Sequence, residues 1–119
     1  MTATEYQTQA YKTLAKSTAE NISYLSFGLV AEVGEVADKI AKAVRRGEIS
    51  INNDEIIIKR GSGEELTQNI AHELGDVLWF VAMLAQRIGY SLEDVMKLNL
   101  DKLADRQKRG VIIGDGDKR

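Results

Sequence analysis

Two segments of the chain each contain a pair of acidic residues three positions apart. Glu32 and Glu35 lie in GLVAEVGEVADKIAK, and Glu73 and Asp76 lie in IAHELGDVLWFVAMLA. Residues i and i+3 are neighbours on the surface of a helix. If the two helices pack together, four carboxylates approach one point, where they repel each other unless a cation lies between them. The spacing therefore predicts a site for a divalent metal ion.

The available ligand types restrict which metal this is. The chain has no cysteine and a single histidine, so the predicted ligands are hard carboxylate oxygens. Such oxygens favour Mg²⁺, with Mn²⁺ as the alternative, over zinc or copper. A competing interpretation is that the acids are ordinary solvated residues, as most glutamates and aspartates are. Gly34 and Gly75 favour a site, because a glycine between the acids of each pair indicates close approach by a partner helix or a ligand.

Composition sets limits on the class of protein. With 119 residues, no proline, 44% hydrophobic and 29% charged residues, the chain is expected to form one mostly helical domain, residues 1–119. A net charge of −2 gives no electrostatic basis for binding nucleic acid. The N-terminus lacks the apolar core of a signal peptide, and the longest apolar run, Val77–Ala85, is too short to span a bilayer. We therefore expect a cytoplasmic protein without membrane contacts.

Periodicity and capping signals predict four helices, at about residues 4–20, 21–46, 62–88 and 91–109. Gly47 ends the second helix, a capping box of Ser62 and Glu65 begins the third, and Ser91 begins the fourth. Residues 48–61 interrupt this pattern with β-branched residues on both sides of a turn sequence, which predicts a short hairpin or extended excursion. The predicted fold class is an all-α four-helix bundle with this excursion between helices two and three.

The helical period also predicts which faces are buried. The predicted buried stripes are Ile22, Leu29, Val33, Val36, Ile40 and Val44 on helix two, and Leu74, Val77, Val81 and Ile88 on helix three. Trp79, Phe80 and Met83 lie on the other side of helix three, whose second half is therefore apolar all round. One such face would be exposed in a single subunit, which predicts a homodimer or homotetramer.

The segments around the acids, together with NLDKLADRQKRG, resemble the MazG-like family of all-α nucleoside triphosphate pyrophosphohydrolases. The family is marked by a Glu-Glu-x-x-Glu motif on one helix and a Glu-x-x-Asp motif on another. The resemblance covers nearly the whole chain outside residues 48–61, and it implies that Glu32, Glu35, Glu73 and Asp76 are catalytic magnesium ligands. Two departures are evident. Ala31 replaces the first acid of the Glu-Glu pair, and the stretch between the motifs is long.

The implied reaction is magnesium-dependent hydrolysis of a nucleoside or deoxynucleoside triphosphate, or a modified nucleotide, between its α- and β-phosphates. In that mechanism Glu35, as the carboxylate less committed to the metal, serves as the general base. The candidate phosphate contacts are Lys39, Lys42, Asn99, Lys102, Arg106 and Arg109, each of which is otherwise a solvated surface residue. Two alternatives stay open: a catalytically weak nucleotide-binding or regulatory protein on the same scaffold, and a structural helical oligomer.

Overall fold

A computed structural model describes residues 1–17, 21–52, 55–58 and 63–116. Within these ranges the chain forms α1 (Ala3–Tyr11), α2 (Ile22–Arg45), β1 (Ile49–Asn52), β2 (Glu55–Ile58), α3 (Gly63–Arg87) and α4 (Leu92–Lys108). The four predicted helices and the excursion between the second and third are confirmed. The predicted Ser62 cap lies outside the described residues. Among the helices described, none combines the length and apolar character needed to cross a membrane.

Local capping chemistry explains most helix boundaries. The Asn21 side chain accepts a hydrogen bond from the backbone of Tyr24 at the start of α2, and Ser91 forms a reciprocal capping box with Asp94 at the start of α4. After α2 the chain reverses through Gly47, whose φ of 70° suits a residue without a side chain. The prediction for the first helix was wrong at its C-terminal end. α1 stops at Tyr11, and the Thr13 hydroxyl donates to the carbonyl of Ala10 in the turn that follows.

The excursion is a two-stranded antiparallel hairpin in which Ile49 pairs with Ile58 and Asn52 pairs with Glu55. Its first strand returns along the end of α2. Ile49 is buried there in a small apolar cluster with Ala43 and Leu66. The hairpin thus covers the C-terminal end of α2 and the N-terminal end of α3, and it encloses one side of the space between these helices.

The main core joins α1, α2, α3 and α4 around Leu25, Phe80, Met83 and Leu92. The predicted buried stripe of α3 was wrong in part. Val77 and Val81 are half-buried, and Val81 packs against the main core, but the most buried side chains of this helix lie outside the stripe. Phe80 and Met83 face the interior of the subunit, whereas Leu74 and Ile88 from the predicted buried stripe are 52% and 59% exposed. The helical period alone gives two apolar faces on this helix and does not rank them. The buried face is the one that fits against α2.

The buried face of α2 is also rotated from the predicted stripe. Leu25 and Ala43 are buried, and Leu29, Val36 and Ile40 are half-buried, whereas Val33 is exposed. Other apolar side chains of α2 and α3 are exposed, and we call this set of residues the open face. It consists of Phe27, Val30, Val33, Leu74 and Leu78.

Gly28 is the glycine at which α2 and α3 make their closest approach. A Cβ atom at this position would lie 2.2 Å from Cε1 of Phe80, closer than two carbon atoms can pack. Gly34 and Gly75, by contrast, have space around them, with no atom of another described residue within 4 Å of an added Cβ. Among the described residues, no other part of the subunit packs against these two glycines.

We expect Gly28→Ala to lower the free energy of unfolding by about 1–3 kcal/mol, the usual cost of overpacking a core. If Phe80 did not approach this position, the alanine would instead stabilise α2, because the helix propensity of alanine exceeds that of glycine. Thermal and urea unfolding measure the change, with Ser26→Ala at an exposed position of the same helix as the control. A Gly28→Ala variant as stable as the parent would contradict the close approach of Phe80.

Candidate active site

The structure brings three of the four predicted acids together between α2 and α3. One carboxylate oxygen from each of Glu32, Glu73 and Asp76 lies within 4.8 Å of the other two. Two oxygens on opposite sides of an octahedral Mg²⁺ lie about 4.2 Å apart, at twice the metal–oxygen distance. The three side chains therefore fit a magnesium ion after small rotations. We call these residues the acid cluster.

The carboxylates of the acid cluster repel one another. Partial burial raises the pKa of Glu32 above its ordinary value, and the negative charges of Asp76, Glu73 and Glu35 raise it further, in that order of importance. Glu32 thus holds its proton more tightly than a solvated glutamate does. A divalent cation relieves the same repulsion, which makes this pattern typical of a metal centre.

Glu35 lies outside the group of three ligand atoms and is exposed. The projection of α2 explains this, because Glu35 lies about 60° further round the helix from the buried stripe than Glu32 does. Its charge nevertheless contributes to the raised pKa of Glu32, so it borders the cluster. The predicted role of Glu35 as a base, or as a fourth ligand, stays a prediction.

The first group of predicted phosphate contacts lies beside the acid cluster. The ammonium of Lys39 is 3.2 Å from Oε1 of Glu73, and Lys42 forms an ion pair with Asp38, four residues earlier on α2. Both lysines line a cavity of about 290 Å³ between the end of α2, the turn that follows it and the start of α3. Its lining residues are Lys39, Lys42, Arg46, Glu48, Glu65, Leu66 and Asn69, and we call it the lysine cavity.

The second group of predicted contacts lies on α4 and is placed differently. Asn99 and Lys102 line a separate, more apolar cavity of about 430 Å³ with Ile88 and Tyr90, beyond the C-terminal end of α3. Arg106 is buried, and its Nη2 donates to the carbonyl of Gly116 at 3.4 Å. The guanidinium of Arg109 pairs with Asp105. Within the described subunit, the predicted phosphate contacts therefore fall into two spatial groups.

Tyr6 of α1 also senses the charge of the acid cluster. Its pKa is raised by burial and secondarily by the charge of Asp76. α1 is held in place by Gln7, which is buried. Its amide donates to the carbonyl of Ala82 and its oxygen accepts from the backbone N–H of Leu92, both at 2.9 Å. The position of Tyr6 depends on how α1 docks on α3 and α4.

Comparison with known proteins extends the geometric picture. The sequence profile of the MazG nucleotide pyrophosphohydrolase domain matches residues 20–111. The Gene 37 protein of Mycobacterium phage L5 is 41% identical over 100 residues, which cover 84% of this chain and 78% of the phage protein. The YvdC protein of Bacillus subtilis (strain 168) is 39% identical over 90 residues, covering 73% of this chain and 83% of that protein. No solved structure gives a significant match. The range matched by the profile contains the whole acid cluster.

Proposed function

Because the chain belongs to the MazG nucleotide pyrophosphohydrolase family, we propose that it hydrolyses nucleoside triphosphates, or their deoxy or modified forms, between the α- and β-phosphates. Water and the triphosphate would give a nucleoside monophosphate, pyrophosphate and a proton. The observation that carries this proposal is the convergence of three carboxylates from α2 and α3 within 4.8 Å.

In this proposal Glu32, Glu73 and Asp76 hold Mg²⁺, with Mn²⁺ as the alternative. The bound cation supplies charge neutralisation for the phosphates and polarises the reacting phosphoryl group. Glu35 is exposed at the border of the cluster, where its carboxylate accepts a proton from the attacking water. Lys39 and Lys42 contact the phosphates that leave as pyrophosphate.

We also propose that the active form is a homodimer or homotetramer. On the open face, Phe27 is 75% exposed and Val30 is 70% exposed, and these apolar side chains are costly to leave in water. The radius of gyration of 17.5 Å also exceeds the value of about 13.5 Å typical of a compact domain of this length. A second subunit on the open face would cover this surface and approach Gly34 and Gly75. It also offers a route for Asn99, Lys102 and Arg109 of one subunit to reach substrate on another, whereas Arg106 is buried within its own subunit.

The direct test is incubation of the protein with each ribo- and deoxyribonucleoside triphosphate and Mg²⁺, with the products resolved by ion-exchange chromatography. The proposal predicts monophosphate and pyrophosphate in equal amounts, and no turnover after chelation of the metal. Formation of diphosphate and orthophosphate would contradict the proposed bond cleavage.

One observation favours a second candidate function, a catalytically weak nucleotide-binding or regulatory protein. Ala31 removes an acid from the family motif, so this site has fewer carboxylates with which to hold a further metal ion or to orient water. The same assay separates the two functions. Tight binding of magnesium–nucleotide without release of pyrophosphate would support the second candidate and contradict the first.

A further inference from the structure

Lys39 lies between two features of the site that attract opposite charges. On one side its ammonium is 3.2 Å from Oε1 of Glu73, a carboxylate of the acid cluster. On the other side it lines the lysine cavity, where Lys42, Arg46 and Asn69 offer further hydrogen-bond donors to an anion. The same cavity contains the carboxylates of Glu48 and Glu65, so the three cations there face two negative charges. Its side chain is 34% exposed and that of Glu73 is 17% exposed, so the lysine is the more accessible partner of the pair.

Through this contact, the ammonium of Lys39 balances the negative charge of Glu73. This ammonium lies at hydrogen-bond distance from the carboxylate of Glu73, which is one of the three carboxylates that the proposed metal would use. A divalent ion bound to Glu73 repels a neighbouring ammonium and competes with it for the same carboxylate. The lysine stem is flexible and its ammonium has three rotatable donors, so it can change partners without movement of the backbone.

We propose that Lys39 is an exchangeable cation: a divalent metal displaces it from Glu73, and it then binds phosphate oxygens in the lysine cavity. The inference rests on the proposed function and deepens it, since the anion in question is the pyrophosphate portion of the substrate. Lys39 is thus a positioning residue for the metal centre and a binding residue for the phosphates. Metal binding and phosphate capture are linked through one side chain.

The exchange makes a prediction for metal binding in the absence of any nucleotide. In Lys39→Met the metal no longer competes with an ammonium for Glu73, so calorimetric titration with Mg²⁺ should show at least about fivefold tighter binding, the lower end of typical coupling between two sites. Lys42→Met removes the same charge from the same cavity, but its partner is Asp38. We expect that control to change the magnesium affinity less than twofold.

The second half of the exchange is tested with inorganic pyrophosphate as the probe. With Mg²⁺ saturating, Lys39→Met should bind pyrophosphate several-fold more weakly than the parent, although it binds the metal more tightly. Lys39→Gln should behave like Lys39→Met, and melting curves of both variants verify that they are folded. Equal tightening of Mg²⁺ binding in Lys39→Met and Lys42→Met would overturn the exchange, because it would reduce Lys39 to a general positive charge. Unchanged pyrophosphate affinity in Lys39→Met would overturn it as well.

These results are distinguishable from a failure of the proposed function. A parent protein that releases pyrophosphate from triphosphates, together with a Lys39→Met variant of unchanged magnesium affinity, would leave the proposed reaction intact and refute only the exchange. A parent that binds Mg²⁺ but releases no pyrophosphate would refute the reaction, and the metal titrations of the two lysine variants would still decide whether Lys39 and the metal compete for Glu73.

Discussion

Asp76→Asn should lower turnover by more than about a hundredfold while leaving the protein folded. Removal of a residue that merely orients a metal ligand already costs about 10- to 100-fold in activity or metal affinity, and Asp76 is proposed to be a ligand itself. In the metal-free state the same change removes a negative charge that raises the pKa of Glu32, so the melting temperature should stay equal or increase. Activity assays and thermal melts with and without Mg²⁺ measure both effects.

Loss of turnover without loss of thermal stability distinguishes a metal site from a structural one. Glu73→Gln should show the same loss of turnover, and it also removes the charge that Lys39 contacts. Asp101→Asn changes an exposed aspartate of α4, outside the acid cluster, and should have little effect on either measurement. Magnesium should raise the melting temperature of the parent but not that of Asp76→Asn, because a cation stabilises only the fold that binds it. Unfolding of both cluster variants, or full activity in both, would refute the assignment.

The elements of the fold were predictable because their signals are local. Asn21 and Ser91 satisfy backbone donors within three residues, and Gly47 accommodates a left-handed turn, so the starts of α2 and α4 and the end of α2 follow from short stretches of sequence. The end of α1 lacked such a signal. Neither proline nor glycine follows Tyr11, and the helix ends in a turn in which Thr13 bonds back to Ala10.

The orientation of α3 could not be predicted, because both of its faces are apolar. The choice between them depends on the fit with α2, where the missing side chain of Gly28 admits the ring of Phe80. Tilted packing of Tyr24 of α2 on Phe80, with ring centroids 6.0 Å apart, then fixes the same face inward. These are contacts between residues about fifty positions apart, and a helical period carries no information about them.

The acid cluster was predictable only in part, because the spacing of acids along each helix is local and the approach of other residues is not. The i, i+3 spacing correctly placed Glu32, Glu73 and Asp76 within reach of one ion once α2 and α3 were paired. It did not by itself separate Glu35, which lies about 60° further round α2 than Glu32 does, and it did not reveal Tyr6, which lies on α1. The sequence also did not show that Lys39 contacts Glu73 while Asn99 and Lys102 of α4 line another cavity.

Val30→Glu should dissociate the proposed oligomer. Val30 is 70% exposed in the subunit and belongs to the open face, so a partner that covers this face would bury the new carboxylate without a counter-charge. An uncompensated buried charge costs about 3–5 kcal/mol, and in a symmetric dimer each interface would contain it twice. Since about 1.4 kcal/mol corresponds to a tenfold change in affinity, the dissociation constant should rise by more than a hundredfold.

Sedimentation velocity at micromolar concentration measures this change directly. The parent should sediment as a dimer or tetramer and Val30→Glu as a smaller species, whereas Gln68→Glu, an acid placed at an exposed polar position of α3, should retain the parent's assembly. If the α4 residues of one subunit serve the acid cluster of another, Val30→Glu should also lose turnover although it leaves every proposed metal ligand in place. A parent protein that sediments as a monomer would refute the assembly, and the exposure of Phe27 and Val30 would then need another partner to explain it.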